Sequence, residues 1–214
     1  MKKYFFKNKN KNKGFTIIET MIAVALFLII VMIGMGALLN ASLIHKKSQD
    51  TRSLMDNLSF VMEDISRNIR TGYDYNCIST TFDFYDLNTP RNCSNNNGLG
   101  ISFTHIDNLT QEEEQWIYYI ENGEIWKSIR EIVNNQKPNG KPINAVSLTP
   151  SGPNSRIEIK SASGFSVLGA NSGDVQQPFV VIRLVGETLY KEINTPFYLE
   201  TAMSQRLLKN NIVE

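Results

Sequence analysis

"GFTIIETMIAVALFLIIVMIGMGALLN", residues 14–40, decides the architecture of the chain. Residues 21–39 are about nineteen consecutive positions without a charged or strongly polar side chain, close to the roughly 20 that span a hydrocarbon core as a helix. Toward the amino terminus only Thr16, Glu19 and Thr20 interrupt the run. Lys2, Lys3, Lys7, Lys9, Lys11 and Lys13 precede Gly14, with no acidic residue among them. Cytoplasmic flanks carry the excess of lysine and arginine, so this flank is expected in the cytoplasm and everything after about residue 40 on the far side. A cleaved secretory signal is the rival reading, with a shorter apolar core of about 7–15 residues and a small-residue cleavage site beyond it. Here Gly34, Gly36 and Ala37 lie inside the apolar run, and its length favours a permanent single span.

The chain has 214 residues and a formal net charge of +1. Its overall charge therefore names no polyanionic partner, and its length suits one ordinary domain with an appendage.

Glu19 is the anomaly in the apolar run. A carboxylate in a spanning segment costs a few kcal/mol on insertion scales and often marks function. Near the cytoplasmic end it could equally snorkel to the headgroups. A carboxylate in the first helical turn also complements the positive end of the helix dipole.

The order of a lysine-rich leader, then Gly14-Phe15-Thr16-Ile17-Ile18-Glu19, then an immediate apolar helix resembles the processing and methylation motif of type IV pilins and of type II secretion pseudopilins. The resemblance implies a leader over residues 1–14, removed between Gly14 and Phe15 by a prepilin peptidase. It implies N-methylation of the new terminus at Phe15 and makes Glu19 the assembly contact between helices in a filament. Pairing Glu19 with a neighbour's amino terminus would offset the burial of both charges. The resemblance places the protein in the cytoplasmic membrane, single-pass with its head exported, and in a pilus or pseudopilus after assembly.

Beyond the expected transmembrane helix over 15–40, helical periodicity continues over 41–71. Leu54, Leu58, Val61, Met62, Ile65 and Ile69 recur every three to four residues and form one apolar stripe. Glu63 and Arg67 fall at a favourable i,i+4 spacing, and Thr71-Gly72 supplies a stop. The continuous helix would be about 56 residues, or roughly 84 Å. The stripe is expected to pack on a sheet. Gly34 and Gly36 stand in a region where major pilins commonly have proline, and they permit but do not force local unwinding.

Residues 72–97 are rich in Asn, Asp, Thr and aromatics and read as an irregular connection with one or two short extended pieces. They contain the chain's two cysteines, Cys77 and Cys93. In an exported domain an even count favours a disulfide, which here would close a loop of about 15 residues and contribute about 3 kcal/mol. A metal site is the rival use, but the cysteines form no recognisable ligand spacing with His45 or His105.

Residues 98–214 read as a β-rich head. Strands are expected over 101–104, 116–120, 125–129, 145–148, 156–160, 179–185 and 197–202, with Asn122-Gly123 as a hairpin turn. Gly and Pro clusters at 138–142, 150–153 and 164–173 separate them. One long helix with an apolar stripe and mainly antiparallel strands give an α+β, pilin-like fold. "WIYYIENGEIWKSIR" and "FYLETAMSQRLL" resemble the hairpin and last strand of the minor pseudopilin J or PilW-like group. That likeness implies a minor subunit of a tip or initiation complex, with other pilin or pseudopilin subunits as partners through the amino-terminal helix.

The rest of the chain gives little sign of catalysis. There is no phosphate-cradling glycine loop, and "SASGFSVLG" lacks the G-x-S-x-G arrangement, so no enzyme, cofactor or metal is predicted. Asp83 and Asp86, with Asn95 to Asn97, do not match an EF-hand and read as a solvated acidic loop. Glu112-Glu113-Glu114 reads as an exposed charge cluster. Lys127, Arg130, Lys137 and Lys141 near Trp126 are the one combination that could contact DNA, a minor reading beside solubilising lysines. The alternative to a filament subunit is a permanently anchored single-pass protein whose exported head binds a ligand or performs chemistry.

Overall fold

The computed structural model describes residues 14–107, 109–149, 155–174, 176–190 and 193–206. The leader lysines lie outside the described residues, as do residues 207–214 of the last stretch.

Among the described residues one α-helix, α1 (Ile17–Thr71), is followed by ten strands. These are β1 (Tyr73–Ile78), β2 (Cys93–Gly98), β3 (Gly100–Ile106), β4 (Glu113–Glu121), β5 (Glu124–Glu131), β6 (Val146–Ser147), β7 (Ser155–Ile159), β8 (Gly164–Leu168), β9 (Phe179–Tyr190) and β10 (Ile193–Ser204). A short 3-10 helix, Thr81–Tyr85, lies between β1 and β2. The α+β expectation is borne out: the helix precedes two mainly antiparallel sheets.

The chain divides into two compact units after Ser48. In the first, the helix is long and apolar enough to cross a membrane, and its large apolar side chains from Ile17 through Ile44 are exposed apart from the half-buried Val31. Gly34 and Gly36 do not interrupt it.

In the second unit the apolar stripe is the spine of the core. Leu58, Ile65 and Ile69 are completely buried, in one cluster with Tyr75, Phe103 and Tyr118 of one sheet and Phe165, Ile182 and Leu184 of the other. The helix ends where the stripe ends. Gly72 is required there by close approach, since a Cβ would collide with the Phe103 ring. Tyr75 then caps the helix, its hydroxyl contacting the Ile69 carbonyl at 2.5 Å and the Gly72 carbonyl at 2.7 Å. Among the described residues no ion pair joins Glu63 and Arg67, contrary to their helical spacing.

The sheets run in the orders β1-β3-β4-β5-β6 and β10-β9-β8-β2, with β7 also paired to β9. Asn122 and Gly123 both have positive φ, 52° and 77°, as the two-residue turn between β4 and β5 requires. The continuous run at residues 116–120 has a structural reason: Tyr118 faces the main core, while Ile117 and Tyr119 face a second cluster with Ile78, Phe84 and Leu87. Residues of the 72–97 stretch thus cover the far face of the first sheet. That stretch contains β1, the 3-10 helix and most of β2. Residues 164–173, read from sequence as a separator, begin with β8, whose first four residues are buried. Gly164 allows the β8 backbone to approach that of Asn96, which a Cβ would obstruct.

Cys77 and Cys93 are bonded to each other, with Cα atoms 5.8 Å apart. The bond joins the edge strand of one sheet to the edge strand of the other. Beside it, Asn76 and Arg91 form an isolated parallel bridge.

Candidate functional site

The amino-terminal segment combines an exposed peptide link with a capped helix start. Gly14, Phe15 and Thr16 precede the helix without regular structure and are exposed. A Cβ on Gly14 would meet nothing within 4 Å, so packing gives no reason for a glycine there. The Gly14–Phe15 peptide lies outside the helical hydrogen-bond ladder.

Thr16 caps the helix. The Glu19 amide donates to Thr16 Oγ1 at 3.3 Å, and the Thr20 amide donates to the Thr16 carbonyl at 3.1 Å. Each satisfies a group at the helix start that would otherwise need water. Thr20 Oγ1 donates back to the Ile17 carbonyl at 2.8 Å. Sequence reasoning passed over Thr16, although T-x-x-E is the sequence signature of a capping box. Glu19 is an acidic residue of the first turn, where it opposes the partial positive charge of the helix end. Its carboxylate has no ion-pair partner among the described residues. A free amino group at Phe15 would stand just ahead of the cap, within a helical turn of that carboxylate.

Residues 9–35 match the family model described as the prokaryotic N-terminal methylation motif. The chain carries this methylation motif. The match supports the type IV pilin and pseudopilin family, whose members are typically structural and not enzymatic. It extends over the Gly14 to Glu19 segment and into the apolar helix, and it leaves the head unmatched. No curated protein and no solved structure matches the chain. A chain with the methylation motif and an apolar helix behind it is consistent with membrane anchoring and pilus assembly.

In the head, the residues considered from sequence have internal partners. Arg91 holds Asp83 at 2.6 Å and Asp86 at 3.3 Å, so the acidic loop is paired with a guanidinium and is not merely solvated. Burial works against ionisation of Asp83, but the amides of Thr80 and Ser79 together with Arg91 outweigh it and hold the carboxyl below its usual range. Among the described residues no group of three or more His, Cys, Asp or Glu side chains is placed to hold a metal ion.

The basic residues near Trp126 do not make a free strip. Lys127 pairs with Asp64 at 3.0 Å and lies 4.4 Å from the Trp116 ring centroid. Arg130 donates to Gln115 and to the Gly140 carbonyl. Lys137 is buried with its ammonium on the Asp74 carbonyl, and Lys141 pairs with Glu121. Glu113 and Glu114 accept hydrogen bonds from Tyr73 and Trp116, so the acidic run is partly built into the fold.

Proposed function

We propose that this protein is a minor, pilin-like structural subunit, processed after Gly14, N-methylated at Phe15 and assembled through its amino-terminal helix into the tip or initiation complex of a type IV pilus or type II secretion pseudopilus. The observation that carries the reading is the conjunction, in one segment, of an exposed non-helical Gly14–Phe15 link, a capped helix start and a Glu19 carboxylate without a partner. Hydrolysis of that link by the prepilin peptidase releases an ammonium group at Phe15 ahead of the helix. Stacked helices then pair Glu19 of one subunit with the amino terminus of another, which offsets the burial of both charges. The leader stays in the cytoplasm and the head is exported, an orientation supported by the lysines before Gly14.

The minor role rests on the resemblance of the sequences "WIYYIENGEIWKSIR" and "FYLETAMSQRLL" to the pseudopilin J or PilW-like group. Other pilin or pseudopilin subunits are then the partners. Site-specific cross-linking from the apolar helix in assembling cells tests this. The expected products are adducts with other methylation-motif subunits, in amounts far below the bulk filament subunit; recovery of the chain only uncross-linked in assembling cells would refute it.

A further inference from the structure

The end of α1 and the end of β10 enclose a groove of about 430 Å³. Arg67, Arg70 and Arg206 line it, with Ser66 and Thr201 as hydroxyl donors and Glu63 as its one carboxylate. Among the described residues, none of the three guanidinium groups has an ion-pair partner. We infer that this groove is an oxyanion site that takes a carboxylate or phosphate group.

Backbone contacts set the arginines together. The Arg206 amide donates to the Arg70 carbonyl at 2.8 Å and fastens the chain leaving β10 to the last turn of the helix. Arg67 and Arg70 are three apart and share a helix face. Guanidinium groups bind carboxylate and phosphate through paired, charge-assisted hydrogen bonds, so several lining one hollow favour an oxyanion.

A helix carboxyl end would ordinarily consume such cations or repel an anion. Here the chain itself satisfies the carbonyls of Asn68, Ile69 and Arg70. The Tyr75 hydroxyl and the Gly72 amide serve Ile69, Arg206 serves Arg70, and the Thr71 hydroxyl contacts the Asn68 carbonyl at 3.2 Å. The arginine side chains are therefore not needed as caps. The carboxylates Asp107, Glu112, Glu113, Glu114 and Glu131 line a different hollow. The groove is larger than a lone phosphate or carboxylate needs, leaving space for part of the molecule that carries it.

The test is isothermal titration of the full chain in neutral detergent micelles at low ionic strength, with inorganic phosphate in one arm and glutarate in the other. Saturable binding of at least one anion is expected, weakened by added salt and by about tenfold or more in Arg67→Gln/Arg70→Gln. Glu63→Gln is expected to tighten binding, a gain that a poorly folded variant would not give, whereas Lys141→Gln leaves it unchanged. Preference for phosphate identifies a phosphate-bearing ligand, and preference for glutarate identifies a protein carboxylate; both support the site. Absence of saturable binding in both arms, or wild-type affinity in the double arginine variant, would overturn it.

Discussion

Cys77, fully buried on β1, is bonded to Cys93 on β2 and so ties the edge strand of one sheet to the edge strand of the other. The bond spans a sequence separation of 16, and Gly98 packs so closely that a Cβ would lie 2.7 Å from the Cys77 sulfur. The Cys77→Ser/Cys93→Ser variant should lose about 3 kcal/mol of stability, since the bridge restricts the unfolded chain. Denaturant unfolding with and without reductant measures this. Equal midpoints for wild type and variant under oxidising conditions would contradict it.

Asp64 on α1 accepts hydrogen bonds from Asn68, from the Tyr118 hydroxyl and from Lys127, each at 3.0 Å. This polar latch lies beside the apolar stripe and fixes the helix against β4 and β5. Asp64→Ala should destabilise the head by about 1–3 kcal/mol, because Tyr118 and Lys127 lose their acceptor. Lys127→Met in the Asp64→Ala background should cost less than Lys127→Met alone, with a coupling of about 1 kcal/mol. Strict additivity in the double-mutant cycle would show that the pair acts independently.

His105 is expected to make the head less stable in mild acid. Burial lowers its pKa from the ordinary 6.5, opposed by Glu114 and Asp107 and reinforced by Lys127. Its ring lies 4.7 Å from that of Trp116, and Nδ1 is buried without a hydrogen-bond partner. The unfolded chain therefore binds a proton at His105 more readily than the folded one. The stabilising contribution is full above pH 6.5 and declines as pH falls through the lower folded value. Melting temperatures measured from pH 7.5 down to 5 should fall, with a shallower slope for His105→Phe. An unchanged slope in that variant would exclude His105 as the source.

Much of this fold is legible in the sequence. The lysine leader, the apolar run and the Leu54 to Ile69 stripe announce one long helix, and Asn122-Gly123 announces the β4–β5 turn. The division into two sheets was harder to see. Strand β1 carries Asp74 at a φ of 51°, a bulge-like break that destroys period-two alternation, and β2 is the polar CSNNNG with both Asn95 and Asn96 at positive φ. Strand β8 is only five residues long and begins with a glycine. At the amino-terminal site, Gly14, Phe15 and Glu19 were legible from their order alone. The capping role of Thr16 is legible too, since T-x-x-E before an apolar run is a capping-box signature. Arg206 could not be associated with Arg67 and Arg70 from sequence, since only the return of β10 to the end of α1 brings them together.

Glu19→Val should separate processing from assembly. The side chain lies after the Gly14–Phe15 link and within the first helical turn, so removal of the leader is expected to continue. Recovery of the chain in assembled complexes is expected to fall by about tenfold or more, because a neighbour's amino terminus would be buried without a counter-charge. Quantitative immunoblotting of the membrane and assembled fractions checks both parts. Normal incorporation would refute the pairing role of Glu19.

The central claim concerns an amino terminus that the encoded chain does not yet have, and intact mass spectrometry of the protein extracted from the membranes of cells with an active prepilin peptidase tests it most directly. The account predicts a mass lacking residues 1–14 and increased by one methyl group, with fragmentation placing that methyl on the amino group of Phe15. A chain that retains its leader in those cells would contradict it.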